Sequence, residues 1–112
     1  MEKILGKINS ARFGYVGYQD MHFGLSLDFS LAGSRGVGTT IAQSWSIDME
    51  CTEHCKWTEE DRSVGFANTM REINKIMQDA KVREIHELKG KPVEVTLNGN
   101  TLSSWRILTE VL

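Results

Sequence analysis

Residues 57–80 read WTEEDRSVGFANTMREINKIMQDA, and the spacing of apolar residues in this stretch decides the fold class. Phe66, Met70, Ile73, Met77 and Ala80 recur at steps of four and three, so on a helix from Trp57 to Ala80 they form one stripe facing a core. Thr58 is the expected N-cap, because its hydroxyl accepts an N–H that the first turn leaves without a partner. Glu59, Glu60 and Asp61 follow and set negative charge against the positive end of the helix dipole. Asp61 stands three residues after the cap as an imperfect capping box. At ~1.5 Å per residue this helix spans roughly 35 Å, the width of a small domain, so the rest of the chain must pack along it. Gly65 has no evident reason to be there: inside a helix it costs ~1 kcal/mol relative to alanine unless another backbone comes close.

The helix needs an apolar sheet face as partner, and Met21–Leu31 supplies it. Met21, Phe23, Leu25, Leu27, Phe29 and Leu31 alternate with His22, Gly24, Ser26, Asp28 and Ser30, the pattern of a half-buried antiparallel strand. A one-residue slip would turn the whole row to solvent. Upstream, Ile4–Phe13 reads as a first strand, and Phe13–Asp20, with Gly14 and Gly17 among Tyr15 and Tyr18, as the turn that follows it. Downstream, Ala32–Thr40 (AGSRGVGTT) reads as a flexible hairpin loop and Thr39–Asp48 as a third strand with Ile41, Trp45 and Ile47 on one face. Met49–Lys56 connects to the helix. Beyond it, Val82–Leu88 reads as a short second helix closed by Gly90, and Pro92 opens a strand bearing Val93, Val95 and Leu97. Asn98-Gly99 signals a type I′ hairpin turn. A last strand, Leu102–Leu112, leaves Leu108 and Leu112 on its outer face, to be covered by the short helix or by a second subunit. The expected fold is α+β: an antiparallel sheet of about five strands packed on one long amphipathic helix, in the order β-β-β-α-(α)-β-β.

The chain has 112 residues, 40% hydrophobic and 25% charged, with one proline, which fits a single domain over residues 1–112. Thirteen Lys and Arg against 15 Asp and Glu give a net charge of −2. Such a balance creates no overall field toward nucleic acid or anionic lipid, so neither is an expected partner. No run of about 18 apolar residues is present, so no membrane span or secretion signal is expected, and the default location is the cytoplasm. Two cysteines without a secretion signal fit a reducing compartment.

Three groups of residues invite a functional reading. Cys51 and Cys55 flank His54, and thiolate and imidazole are good zinc ligands, with His22 or His86 available to complete four. CxxxC with an adjacent His is not a usual zinc knuckle, however, and no second ligand pair is visible, so no metal is expected. Cys55 lies just before a helix N-terminus, where a thiolate is favoured, but no Cys–His–acid order accompanies it. The segment around Arg35, Gly36 and Thr39 resembles an anion-binding nest in composition, with Arg35 and the hydroxyls of Thr39 and Thr40. It lacks the lysine and the following helix of a P-loop. Among the aromatics, Tyr15 and Tyr18, beside Gln19 and Asp20 in a glycine-rich turn, are the pair expected to be exposed for recognition, whereas Trp45, Trp57 and Trp105 suit the core or its rim. No carboxylate pair, catalytic triad or dinucleotide fingerprint occurs, so the expectation is a protein without enzymatic activity or cofactor.

GYQD at Gly17–Asp20, KWTEEDR at Lys56–Arg62, LKGKPVEVTL at Leu88–Leu97 and SWRILTEVL at Ser104–Leu112 together resemble a group of small proteins encoded by bacteriophages and prophages. That group brings no agreed activity, so no functional residue is carried over. The resemblance implies action in a bacterial host cytoplasm. It favours a binder, because small phage accessory proteins often block a host enzyme or nuclease complex, or sequester a nucleotide signal, in counter-defence. The leading expectation is a non-enzymatic accessory protein that binds a host or phage macromolecule, foremost a protein, through Tyr15, Tyr18, Gln19, Asp20, Arg35, Gly36 and Thr39. The alternative is a protein that holds a phosphorylated nucleotide in the Arg35 loop, across a homodimer. A zinc module on Cys51, His54 and Cys55 comes third.

Overall fold

A computed structural model describes residues 1–43 and 50–112. Among the described residues five strands form one antiparallel sheet: β1 (Glu2–Val16), β2 (His22–Leu31), β3 (Arg35–Gln43), β4 (Pro92–Asn98) and β5 (Thr101–Ile107), with a single long helix, α1 (Glu59–Ala80), between β3 and β4. The spatial order is β3-β2-β1-β4-β5. The α+β class and the strand count are as the residue patterns predict.

Strand β1 joins two halves that are not otherwise hydrogen-bonded to each other as strands. It pairs with β2 from Gly6 to Val16 and with β4 from Glu2 to Lys7, so only Gly6 and Lys7 are paired on both sides. A register shift between Ile8 and Ser10 marks a bulge at Asn9, which bends the strand and raises its twist. Gly6 sits at the same corner. A Cβ there would lie 2.5 Å from the Ser30 carbonyl oxygen and 2.7 Å from a Leu31 methyl, so only glycine lets the two backbones approach this closely. The sheet therefore curls. Its curl brings Trp105 of β5 onto Phe29 of β2, ring centroids 5.0 Å apart, although three strand positions separate them.

The concave face is the core. Leu25, Leu27, Phe29 and Leu31 are buried there with Ile8, Ile41, Val93, Val95, Leu97 and Ile107, so the alternating row is buried as predicted from Leu25 onward; Phe23 is half-buried, and Met21 precedes the strand and is exposed. Helix α1 packs onto this core with Thr69, Ile73, Ile76 and Ala80. Relative to the expected stripe, the buried face is rotated by roughly 50° at 100° per residue. Met70 is 54% exposed, and Phe66 and Met77 are half-buried. Side-chain apolarity pointed to methionine, but the geometry selects Thr69, whose hydroxyl accepts a 2.8 Å hydrogen bond from Gln43 Nε2 on β3. Gly65 is half-buried.

The helix starts where its cap predicts. Asp61 N–H donates to Thr58 Oγ1 at 3.0 Å and Thr58 N–H to Asp61 Oδ2 at 2.9 Å, so aspartate completes the box that the sequence left imperfect. Thr58→Ala is expected to lower stability by about 1 kcal/mol, read as a lower urea midpoint at unchanged slope. An unmoved midpoint would show that the box contributes nothing. At the other end Lys81 takes a left-handed conformation (φ 58°) and its N–H reaches the Gln78 and Met77 carbonyls.

Several local expectations are corrected. Strand β1 runs on to Val16, so Gly14 and Tyr15 belong to a strand and the turn is confined to Gly17–Met21. Gly14 faces Gly24 across the pair and thins the sheet, whereas Gly17 stays in the turn as expected. Arg35–Thr40 is likewise strand and not loop, leaving Ala32–Ser34 as the turn. Gly36 and Gly38 pair with Ser30 and Asp28. The third strand begins earlier than Thr39 and is described to Gln43; its remainder, with Trp45 and Ile47, lies outside the described residues. The second helix is only a 3-10 turn, Ile85–Leu88, because the left-handed Lys81 reverses the chain and Gly90, at φ +90°, already leads into the sheet by donating to the Ile8 carbonyl at 2.7 Å. In the last hairpin Asn98 pairs with Thr101. The turn is therefore Gly99-Asn100 with positive φ at Gly99, the pattern of type II′ and not I′. Strand β5 ends at Ile107, and Thr109–Val111 forms a 3-10 turn, so Leu108 and Leu112 lie on no strand face. Among the described residues no helix is long and apolar enough to cross a membrane.

Candidate functional site

The predicted contact residues fall at two ends of β2. Tyr15 pairs with Phe23 and Arg35 with Leu31, eight residues apart along the strand, or about 26 Å. Tyr15, Tyr18, Gln19 and Asp20 are brought together; Arg35, Gly36 and Thr39 stand apart from them.

At the first end the bulge sets Phe13 and Tyr15 on the concave face. Phe23 lies between them, its ring centroid 5.4 Å from each, at interplanar angles of 78° to Phe13 and 70° to Tyr15. These are edge-to-face contacts, favoured by the ring quadrupoles. The main core cluster does not include these three rings; Phe13 is 42% and Tyr15 60% exposed. The adjoining turn is held in an uncommon backbone. After Gly17 at φ 80°, Gln19 and Asp20 both take positive φ, 54° and 53°, at roughly 1 kcal/mol or more each for residues with a Cβ. Asp20 N–H to Gly17 O (3.1 Å) and Met21 N–H to Tyr18 O (3.2 Å) close the turn. Arg12 braces it, donating to the Tyr15 carbonyl at 2.8 Å and lying 3.8 Å from the Asp20 carboxylate. Tyr18, 77% exposed, and Met21 are thus displayed beside the three rings.

The other end is polar. A shallow cleft of about 550 Å³ is lined by Asn9, Asp28, Ser30, Ser34, Arg35 and Gly36, among others. Arg35 is paired with Glu2 Oε1 at 3.2 Å, and Asp28 accepts from Ser10 Oγ at 2.8 Å. The anion-binding nest that the composition suggested does not form. Arg35–Thr40 is extended and paired with β2, so successive N–H groups point to opposite sides and cannot converge on an anion. Thr39 is half-buried opposite Leu27.

The cysteines sit just before α1, both half-buried and free. Cys51 Sγ donates to the Trp57 carbonyl at 2.9 Å, while Cys55 Sγ accepts the Thr52 N–H at 3.3 Å. Burial first, then the hydrogen bond and charge of Cys55, push the Cys51 thiol up. The Thr52 N–H and hydroxyl hold Cys55 below the ordinary thiol range. Among the described residues no group of three or more metal-ligating side chains converges. His54 is exposed beside Glu53, His22 stacks near Gly17 and His86 lies next to Glu84. Trp57 is half-buried with the Arg62 guanidinium 5.0 Å from its ring centroid.

Sequence reasoning missed Phe13, Met21 and Phe23 as surface candidates. The alternation in Met21–Leu31 assigned two of them to the core, and the bulge that turns Phe13 and Tyr15 toward Phe23 has no sequence signature. Compared with family models, curated proteins and solved structures, the chain matches none.

Proposed function

We propose that this is a non-enzymatic accessory protein of phage type that acts in the bacterial cytoplasm by binding a macromolecule, foremost a protein, through the aromatic end of the sheet. The carrying observation is the Phe13–Phe23–Tyr15 cluster, with Phe13 and Tyr15 exposed over a half-buried Phe23, continuous with the braced turn that displays Tyr18 and Met21. Aromatic side chains give large contact area at small entropic cost. Those on a paired strand and a braced turn lose little further freedom on binding. Arg12 and Asp20 add a charged rim, the arrangement of interface centres and edges.

The test is affinity capture with the full chain from phage-infected cells, comparing wild type with the Tyr15→Ala, Tyr18→Ala double variant. Loss of two interface aromatics is expected to reduce capture of the specific partner by at least about tenfold. The melting temperature should fall by only a few degrees, since Tyr18 is exposed and Tyr15 gives up one edge-to-face contact with Phe23. Equal capture by the folded double variant would refute this surface. Arg35→Ala, at the far end of β2, is expected to leave capture unchanged. The phosphorylated-nucleotide reading draws only on the polar cleft and is weakened by the Arg35–Glu2 pair and the Asp28 carboxylate beside it.

A further inference from the structure

We infer that Cys51 and Cys55 form a thiol–disulfide exchange pair, in which Cys55 attacks a low-molecular-weight disulfide and Cys51 resolves the adduct. The inference is independent of the aromatic surface. The segment folds back on itself at this point: Cys55 N–H bonds the Thr52 carbonyl at 3.0 Å, and this turn brings both sulfurs to the same residue, Cys51 Sγ 4.0 Å from the Thr52 carbonyl oxygen and Cys55 Sγ 3.3 Å from the Thr52 N–H.

The two sulfurs have opposite surroundings. Cys55 receives donors, the Thr52 N–H at 3.3 Å and the Thr52 hydroxyl within 3.8 Å, and both stabilise a thiolate. Its acceptor contact among the described residues, to the Glu50 carbonyl, is long at 3.9 Å. Cys51 instead meets an acceptor, the Trp57 carbonyl at 2.9 Å, which keeps its proton in place. Glu59 acts against charge on both cysteines, and Arg62 favours it on Cys51. The directions of the two thiol pKa values, down at Cys55 and up at Cys51, agree with this division of roles. Since the thiolate is the nucleophile, Cys55 is the attacking group and stays reactive to lower pH than an ordinary thiol.

The step balances. Cys55 thiolate displaces one thiolate from the small disulfide and becomes a mixed disulfide. With the charge on Cys55 gone, one cause that held Cys51 protonated is removed. Cys51 loses its proton to solvent and attacks Cys55 Sγ, expelling the second small thiolate. The protein gives up two electrons, and the small disulfide accepts them as two thiols.

Oxidised glutathione added to the native full-length protein, with acid quenching and intact-mass analysis, tests the pair. Wild type is expected to lose two hydrogens and retain no glutathione. Cys51→Ser should trap one glutathione on Cys55, and Cys55→Ser should react at least about tenfold more slowly. Glutathione retained on wild type, equal rates for the two single variants, or thiols that react only in denaturant would each overturn the inference. Circular dichroism confirms that the variants fold. Should either fail, alkylation of native wild type with iodoacetamide, followed peptide by peptide, makes the same decision: faster modification at Cys55 supports the pair, and equal or inverted rates overturn it.

Discussion

Replacing Phe29 with alanine is expected to destabilise the protein by about 3–5 kcal/mol. Phe29 is 2% exposed in the middle of the concave face. Its ring is also the meeting point of the two halves of the sheet, through Trp105. Truncation removes its own buried area, leaves a cavity, and strips Trp105 of the surface against which it packs. At roughly 4 °C per kcal/mol for a domain of about this size, the midpoint of thermal unfolding should fall by roughly 12–20 °C. A double-mutant cycle with Trp105→Ala isolates the ring contact, expected at about 0.5–1.5 kcal/mol. A Phe29→Ala loss below about 1 kcal/mol would mean that the sheet is not curled tightly enough for β5 to reach β2.

Gly24→Ala is the second large effect, with its own internal comparison. Gly24 and Gly14 are cross-strand partners with similar backbone, φ 156° and 150°. Their surroundings differ. A Cβ on Gly24 would lie 2.3 Å from the Ile41 carbonyl oxygen and 2.7 Å from Ala42 Cα, both backbone atoms, while one on Gly14 meets nothing within 4 Å. Gly24→Ala must therefore push β3 away from β2. Strain in φ and overpacking together are expected to cost about 2–4 kcal/mol. Gly14→Ala carries only the φ term, about 1 kcal/mol. Urea denaturation of both variants measures the difference. Equal losses would show that the close approach of β3 to Gly24 does not constrain the sheet.

These residues also show how far the chain can be read unaided. Leu25, Leu27, Phe29 and Leu31 are legible because strand periodicity is local, and the Thr58 cap is legible because its chemistry involves residues three apart. Gly14, Gly36 and Gly38 mislead for the opposite reason. A glycine that stands inside a paired strand is indistinguishable in sequence from one required by a turn. Met70 misleads because hydropathy ranks it above Thr69, whose burial depends on Gln43, 26 positions away. The candidate surface suffered most. The exposure of Phe13 and the incomplete burial of Phe23 depend on the Asn9 bulge and on how far α1 extends along the sheet, both tertiary facts. Tyr15 and Tyr18 were found because glycine and tyrosine alternate there, although Tyr15 proves to stand on a strand.

Strand β1 also sets a timetable for the nascent chain. Its second half finds β2 within a few residues of synthesis, whereas Glu2 must wait for Leu97 and Lys7 for Pro92. At elongation of about 5–20 residues per second, the first half of β1 waits for its β4 partner for roughly 4–20 s. An open apolar edge is a template for the wrong partner, another nascent copy included. Lys3 and Lys7 flank the exposed Leu5 on that stretch, and their charges are the kind of guard that keeps such an edge unpaired until its own β4 arrives.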